Sequence, residues 1–182
     1  MGKNNENHAE KVEEYKKYIQ EHKGNVKKIW DDYCENNKSD PFVWNDYDYH
    51  ALNHAINTHD DSKLESFEFH GYRQWFFTSN TDTKNEDRFK SAWNHHQKNN
   101  PHHWEYWVLV PTLEPLHMPV FFTFEMLVDW SAMSLKFKDL PSVFYAKNKE
   151  KMILHKKTIS DIEDYLPCFD ACVKRIQSKG GE

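Results

Sequence analysis

The stretch Leu52–Lys63, LNHAINTHDDSK, places apolar residues and a histidine on one face of a predicted helix. Positions 52, 55, 56 and 59 recur at i, i+3, i+4 and i+7, the spacing of a helix face that packs against a core. Asp60 follows His59 directly, where the pattern breaks into polar residues. One imidazole nitrogen and one carboxylate oxygen suit a borderline divalent ion such as iron, manganese, nickel or zinc. An isolated His-Asp pair is more often a helix cap, so the other candidate ligands must decide between the two interpretations.

Composition predicts one all-α domain over residues 1–182, with frayed ends at 1–7 and 179–182. Five Gly and seven Pro among repeated 3.6-residue stripes favour helices over a sandwich of short strands. The net charge of −5 gives no general attraction to nucleic acid, and no apolar run approaches the roughly 20 residues of a membrane span. Three cysteines without paired spacing and a polar N-terminus predict a reduced, cytoplasmic protein.

Three further helices carry a polar residue on their apolar face. A helix that starts at His8 has His22 in the middle of its apolar stripe. A later helix, which Pro101 ends, carries His96 at the end of its apolar stripe, as His59 does in the helix before Asp60. Asp129 lies in an apolar stripe. A carboxylate buried there would cost several kcal/mol of folding free energy unless it is paired or binds a cation. These positions predict a metal site between the central helices.

Local signals predict the remaining segments. We expect a helix over 64–77 and an exposed loop over 78–85, with Asp82 or Thr83 as the cap of the next helix. Residues 36–46 are expected to form a loop, and the C-terminal helices are expected to break near Pro167.

Four of the twelve histidines fall between His95 and His103, and not all of them can face one site. His95 and His96 point about 100° apart on a helix, so the apolar stripe favours His96 as a ligand and leaves His95 for catalysis or substrate contact. The choice between His102 and His103 is nearly even, with a slight preference for His103 as the ligand. His102 and Asn100 are then candidate substrate contacts.

The ordered set resembles the HD-domain superfamily of helical metal-dependent phosphohydrolases. His22 with Val26, the pair His59-Asp60 and the closing Asp129 match that superfamily's pattern. H-D-D-S-K is also similar to the H-D-x-G-K of two-metal members, with Ser62 in place of Gly, which makes Lys63 a candidate phosphate contact. The strings EHKGNVKKIW, AWNHHQKNNPHHWEYW, EMLVDW and FYAKNK further resemble a small uncharacterised family from phages and bacteria.

The resemblance implies one or two divalent ions (Fe, Mn, Ni or Zn) and a hydrolase that uses a metal-activated water. The first ion would bind His22, His59, Asp60 and Asp129, and a second would bind His96 and His103. Asp60, Lys63 and His95 are the expected catalytic residues. The expected partner is a small phosphorylated compound, most simply a nucleotide whose base stacks on Trp93, Trp104 or Trp107, and the oligomeric state stays open. Two alternatives remain: a di-iron oxygenase on the same ligands, and a non-catalytic protein that binds a nucleotide or a partner.

Overall fold

The computed structural model describes residues 2–39 and 46–179, and within them the predicted all-α fold is confirmed. The only strands in these ranges, β1 (Val108–Leu109) and β2 (Glu114–Pro115), form a two-stranded antiparallel hairpin. None of the described helices is long and apolar enough to cross a membrane. The α-helices are α1 (Gly2–Asn36), α2 (Asp46–Thr58), α3 (Ser66–Phe76), α4 (Glu86–Asn99), α5 (Val120–Phe137), α6 (Pro141–Asn148) and α7 (Lys156–Lys179).

The chain forms two compact units. The first unit comprises Met1–Glu21 and Asp60–Asn100, and the second comprises His22–His59 and Pro101–Glu182. The prediction of a single domain over 1–182 stays a prediction. The central part of the loop expected over 36–46, residues 40–45, and the end 180–182 lie outside the described residues.

In the first unit, α3 packs against α4 at a site of close backbone approach. Gly71 makes this approach feasible, because an added Cβ would stand 2.4 Å from the Cβ of Ala92. The core of the unit joins Tyr72 and Ala92 to Tyr15 and Ile19 from the N-terminal part of α1. Burying large side chains of this kind stabilises a fold by about 1.5–3 kcal/mol each.

In the second unit, α5 is the central helix. It packs against α7, α6 and α2, and most of its residues are buried. The core includes the α1 residues Trp30 and Tyr33 and the α5 residue Phe124, whose ring lies edge-on to Tyr33 with centroids 4.7 Å apart. The apolar stripe of α2 is buried there too, since Leu52 and Ile56 are at most 1% exposed.

Residues 2–7 belong to α1. Asn7 accepts a hydrogen bond from the Asn80 amide, and His8 Nδ1 lies 3.3 Å from Ser79 Oγ. The frayed end expected at 1–7 stays a prediction, whereas another prediction about the first unit is wrong. The cap of α4 is Asn85, which accepts from the Arg88 amide, and not Asp82 or Thr83. Asp82 instead accepts hydrogen bonds from Arg73 and Ser79, so the loop 78–85 is anchored and partly buried.

The boundaries of two other segments also differ from the predictions. The helix expected over 64–77 is shorter, because Asp61–Leu64 forms a separate 3₁₀ turn before α3. Pro167 lies inside α7 and does not break it. A proline removes the hydrogen bond to the carbonyl four residues earlier. Both Pro167 and Glu163 are exposed, so water can satisfy that carbonyl and the helix continues.

Candidate metal centre

Three of the predicted ligands converge in the second unit. His22 comes from α1, His59 follows the last residue of α2, and Asp129 comes from the central helix α5. One potential ligand atom from each residue lies within 4.8 Å of the others. Nε2 of His22 is 3.0 Å from Oδ1 of Asp129, and Nε2 of His59 is 3.6 Å from the same oxygen. This spacing allows two nitrogens and one carboxylate oxygen to share a single ion.

The Asp129 side chain carries a negative charge in this cluster. Burial raises the pKa of the carboxyl, but His22 and His59 favour the charged form and together hold the pKa well below its usual range. The two histidines are nearly inaccessible, while the Asp129 side chain keeps 17% of its surface exposed. A carboxylate with limited solvent access is a suitable anionic ligand for a divalent cation.

Glu125 is a buried carboxylate of this unit that sequence reasoning missed. Its Oε1 lies 3.3 Å from Nδ1 of His59 and 3.2 Å from Nδ1 of His102. Burial alone would raise the pKa of Glu125. Interactions with His102 and His59 outweigh burial and lower the pKa to about 2. The position of Glu125 was a usable signal, because it precedes Asp129 by four residues and therefore shares its helix face.

The structure places His102 beside His59, and the slight preference for His103 as a ligand stays a prediction. The ring centroids of His59 and His102 are 4.4 Å apart, and His102 is 3% exposed. The His103 side chain is 22% exposed, and its Nδ1 lies 3.9 Å from Glu105 Oε2. The ring centroids of His102 and His103 are 4.5 Å apart, so the two side chains lie close together, and the sequence alone could not rank them as ligands.

In the first unit, Asp60 is held by a lysine and a histidine. Its Oδ2 accepts a hydrogen bond from Lys63 Nζ at 2.5 Å, and its Oδ1 lies 3.2 Å from His96 Nε2. The backbone of Asp60 is left-handed, with φ of 61°, a conformation that Asp tolerates better than most residues. The carboxylate is buried, with 1% of its surface exposed.

Glu68 holds both His95 and His96 and was also missed by sequence reasoning. Its two oxygens accept hydrogen bonds from Nδ1 of His95 at 2.7 Å and Nδ1 of His96 at 2.8 Å. Burial alone would raise the pKa of Glu68, but the hydrogen bonds with the two histidines outweigh burial and lower it. Burial would lower the pKa of His96, but Asp60 and Glu68 raise it. His96 is buried, whereas the His95 side chain is 40% exposed. This agrees with the apolar stripe, which predicted that His96 faces inward.

Ser62 and Asn100 complete the surroundings of His96. Ser62 Oγ donates to Glu68 at 2.9 Å, and Asn100 Nδ2 donates to Ser62 Oγ at 3.1 Å. Asn100 also donates to the carbonyl of His96 at 2.8 Å, one turn earlier. The predicted substrate contact Asn100 therefore has a clear structural role at the end of α4.

The family of the chain is shown by a match over most of its length. Residues 11–167 match the model of a family of unknown function (DUF5662), and the chain belongs to that family. No curated protein and no solved structure matches the chain. The resemblance to the HD-domain superfamily stays a prediction.

Proposed function

We propose that this protein is a metal-dependent phosphohydrolase in which His22, His59 and Asp129 hold a divalent transition-metal ion. The observation that carries the proposal is the convergence of these three side chains from three separate helical segments. Two imidazoles and a carboxylate suit Zn, Fe, Mn or Ni, and three protein ligands leave positions open for water and substrate.

A bound ion of this kind supplies an activated water at neutral pH. The residues of the chain orient the site: Asp129 contributes the negative charge, and His22 and His59 present Nε2 atoms toward it. Both histidines are buried, which restricts competing water. Asp60 follows His59 directly in the chain and remains the predicted fourth ligand.

The proposed substrate is a nucleotide or a related phosphoester. Lys63 is the proposed cation that neutralises phosphate charge, because an ammonium stabilises the negative charge that develops during phosphoryl transfer. Of the three tryptophans considered as base platforms, Trp104 and Trp107 pack against the core of the second unit. Trp93 is 44% exposed and is therefore the better candidate for stacking on a base.

A second candidate function rests on the same three residues. Two histidines and one carboxylate with open positions are also the ligand set of non-haem iron oxygenases. Oxygen consumption with reduced iron would favour this alternative over phosphate release. Tight nucleotide binding without turnover would favour a non-catalytic binding protein instead.

The test begins with protein purified without chelator or a nickel column, in which bound metals are counted by mass spectrometry. Phosphate release is then measured on nucleoside monophosphates, diphosphates and cyclic nucleotides with Mn²⁺, Ni²⁺, Zn²⁺ or Fe²⁺. We expect Asp129→Asn to lose both metal and activity. Asp161→Asn is the matched control, because Asp161 also faces a histidine, His117, at 3.4 Å in the second unit but lies outside the cluster. Full metal occupancy in Asp129→Asn would contradict the proposal.

A further inference from the structure

The geometry of Glu125 points to a role for this residue in orienting His59, a proposed metal ligand, and the neighbouring His102. We infer that Glu125 is a positioning residue that keeps His59 and His102 in the Nδ1–H tautomer, so that both rings present an unprotonated Nε2. The inference deepens the proposed function, since a histidine can bind a metal only through a nitrogen that carries no proton.

The contact geometry supports this role. One oxygen of Glu125 lies within hydrogen-bonding distance of two Nδ1 atoms, at 3.3 Å from His59 and 3.2 Å from His102. An ionised carboxylate accepts hydrogen bonds and cannot donate them, so each Nδ1 must carry the proton. The remaining nitrogen of His59, Nε2, is the one that faces Asp129 at 3.6 Å.

Burial makes the arrangement effective. Glu125 is 6% exposed and both histidines are at most 3% exposed, so water does not readily replace these contacts. Glu125 also lies one helical turn from Asp129 on α5. A single helix therefore supplies both the proposed anionic ligand and the acceptor that orients a neighbouring ligand.

The first unit contains a similar arrangement, in which one carboxylate contacts two histidines. Glu68 accepts from Nδ1 of both His95 and His96, at 2.7 and 2.8 Å. In that unit too, Nε2 of the buried histidine, His96, faces an aspartate, Asp60, at 3.2 Å. Carboxylates that bind the second nitrogen of a histidine are common around metal ligands and raise the basicity of the ring. The repeated arrangement supports the role inferred for Glu125.

The first experiment measures tautomers directly in the full-length apo protein. Long-range ¹H–¹⁵N spectra of ¹⁵N-labelled protein at pH 8, above the ordinary pKa of histidine, distinguish Nδ1–H from Nε2–H rings. His59→Gln and His102→Gln variants assign the two signals. We expect both rings to be Nδ1–H in the wild type and a mixture of tautomers in Glu125→Gln. Nε2–H tautomers in the wild type would overturn the inference, whatever the activity of the protein.

The second experiment measures metal affinity with Co²⁺, whose visible absorption reports its coordination. We expect Glu125→Gln to weaken Co²⁺ binding by about 10–100-fold. Asp32→Asn is the matched control, because Asp32 is an equally buried carboxylate (6% exposed) that binds Arg175. This control should lower the melting temperature and leave Co²⁺ affinity unchanged. Wild-type affinity in Glu125→Gln would overturn the inference.

A further variant and a separate outcome complete the test. If Glu125→Gln does not fold, Glu125→Asp keeps the charge but is too short to reach both rings, so one ring should lose its fixed tautomer. A wild-type protein that binds no Co²⁺ would refute the proposed metal centre. The tautomers of the apo protein would still decide the role of Glu125.

Discussion

Lys63 donates a hydrogen bond to Asp60, with Nζ 2.5 Å from Oδ2. The lysine that the sequence predicts as a phosphate contact is therefore paired with a carboxylate that is itself 1% exposed. A substrate phosphate must compete with Asp60 for this ammonium, unless a cation takes over the neutralisation of Asp60. The predicted phosphate contact, Lys63, therefore also neutralises the charge of a predicted metal ligand, Asp60.

Replacement of Lys63 by methionine should destabilise the apo protein by about 1–3 kcal/mol, because the buried carboxylate of Asp60 loses one of its hydrogen-bond donors. Metal content should stay unchanged, since an ammonium is not a ligand, while phosphate release should fall. Urea denaturation, metal analysis and the phosphate assay check the three effects. Lys84→Met is the control: Lys84 is exposed over the Trp75 ring, and its loss should change stability by less than about 1 kcal/mol. Unchanged phosphate release in Lys63→Met would remove the phosphate role of Lys63.

Asp60→Asn should strongly reduce metal content, because it preserves the size of the side chain and removes the charge that a divalent ion requires. The apo protein should still fold, since the cores of both units are built from apolar side chains. Metal analysis and the apo melting temperature separate the two effects. The neighbouring Asp61 is exposed, so Asp61→Asn serves as the control and should retain its metal. Full occupancy in Asp60→Asn would remove Asp60 from the ligand set.

Gly24 and Gly71, two glycines in the interior of helices, should respond to alanine with opposite signs. Gly71→Ala would place a Cβ 2.4 Å from Ala92 Cβ and 3.0 Å from the carbonyl oxygen of Arg88, so we expect a net loss of about 1–3 kcal/mol. Gly24→Ala meets nothing within 4 Å and should stabilise α1 by about 0.5–1 kcal/mol. Thermal and urea denaturation of both variants test the pair. Stabilisation by Gly71→Ala would contradict the close approach of α3 and α4.

Pro167→Ala should stabilise the protein. A proline inside a helix is about 3 kcal/mol less favourable than alanine, and its smaller unfolded-state entropy recovers only about 0.4–1 kcal/mol of this. We therefore expect a gain of about 2 kcal/mol, measured as a higher melting temperature. Pro141 lies in the first turn of α6, where alanine restores no intrahelical hydrogen bond, so Pro141→Ala should give no gain. A lower melting temperature in Pro167→Ala would show that α7 needs this proline.

The ion pair between Arg73 and Asp82 should make the stability of the first unit depend on pH. Arg73 is the main cause of the lowered pKa of Asp82. Burial alone would raise this pKa, and hydrogen bonds from Ser79 lower it further. A carboxyl whose folded pKa is lowered contributes its full stability above the unfolded pKa of about 3.9. The contribution is lost as the pH falls from that value toward the folded pKa.

Asp82→Asn tests this dependence. At pH 6 the variant should be about 3–5 kcal/mol less stable than the wild type, because Arg73 is 4% exposed and would lose its anion. The difference between the two proteins should shrink as the pH falls below about 4. Urea denaturation at several pH values provides the measurement. A difference that stays constant down to pH 2 would contradict the assigned pKa shift.

Much of the architecture is determined by local sequence patterns. The stripe that ends at His59 predicts α2 and the burial of Leu52 and Ile56, because apolar periodicity is a property of neighbouring residues. The same reasoning identifies Asp129 as a carboxylate that needs a partner. It also ranks His96 above His95 for burial.

Only the tertiary structure decides which side chains meet. Glu125 contacts His59 across 66 positions of the chain, and no local pattern encodes such a contact. The direction of His102 depends on the turn after Pro101, and the tolerance of Pro167 depends on the solvent beside Glu163. Hydrogen bonds and charge neutralisation act between groups that folding brings together. The sequence by itself therefore determined most of the helices and the candidate ligands, while long-range packing decided the partners of each histidine.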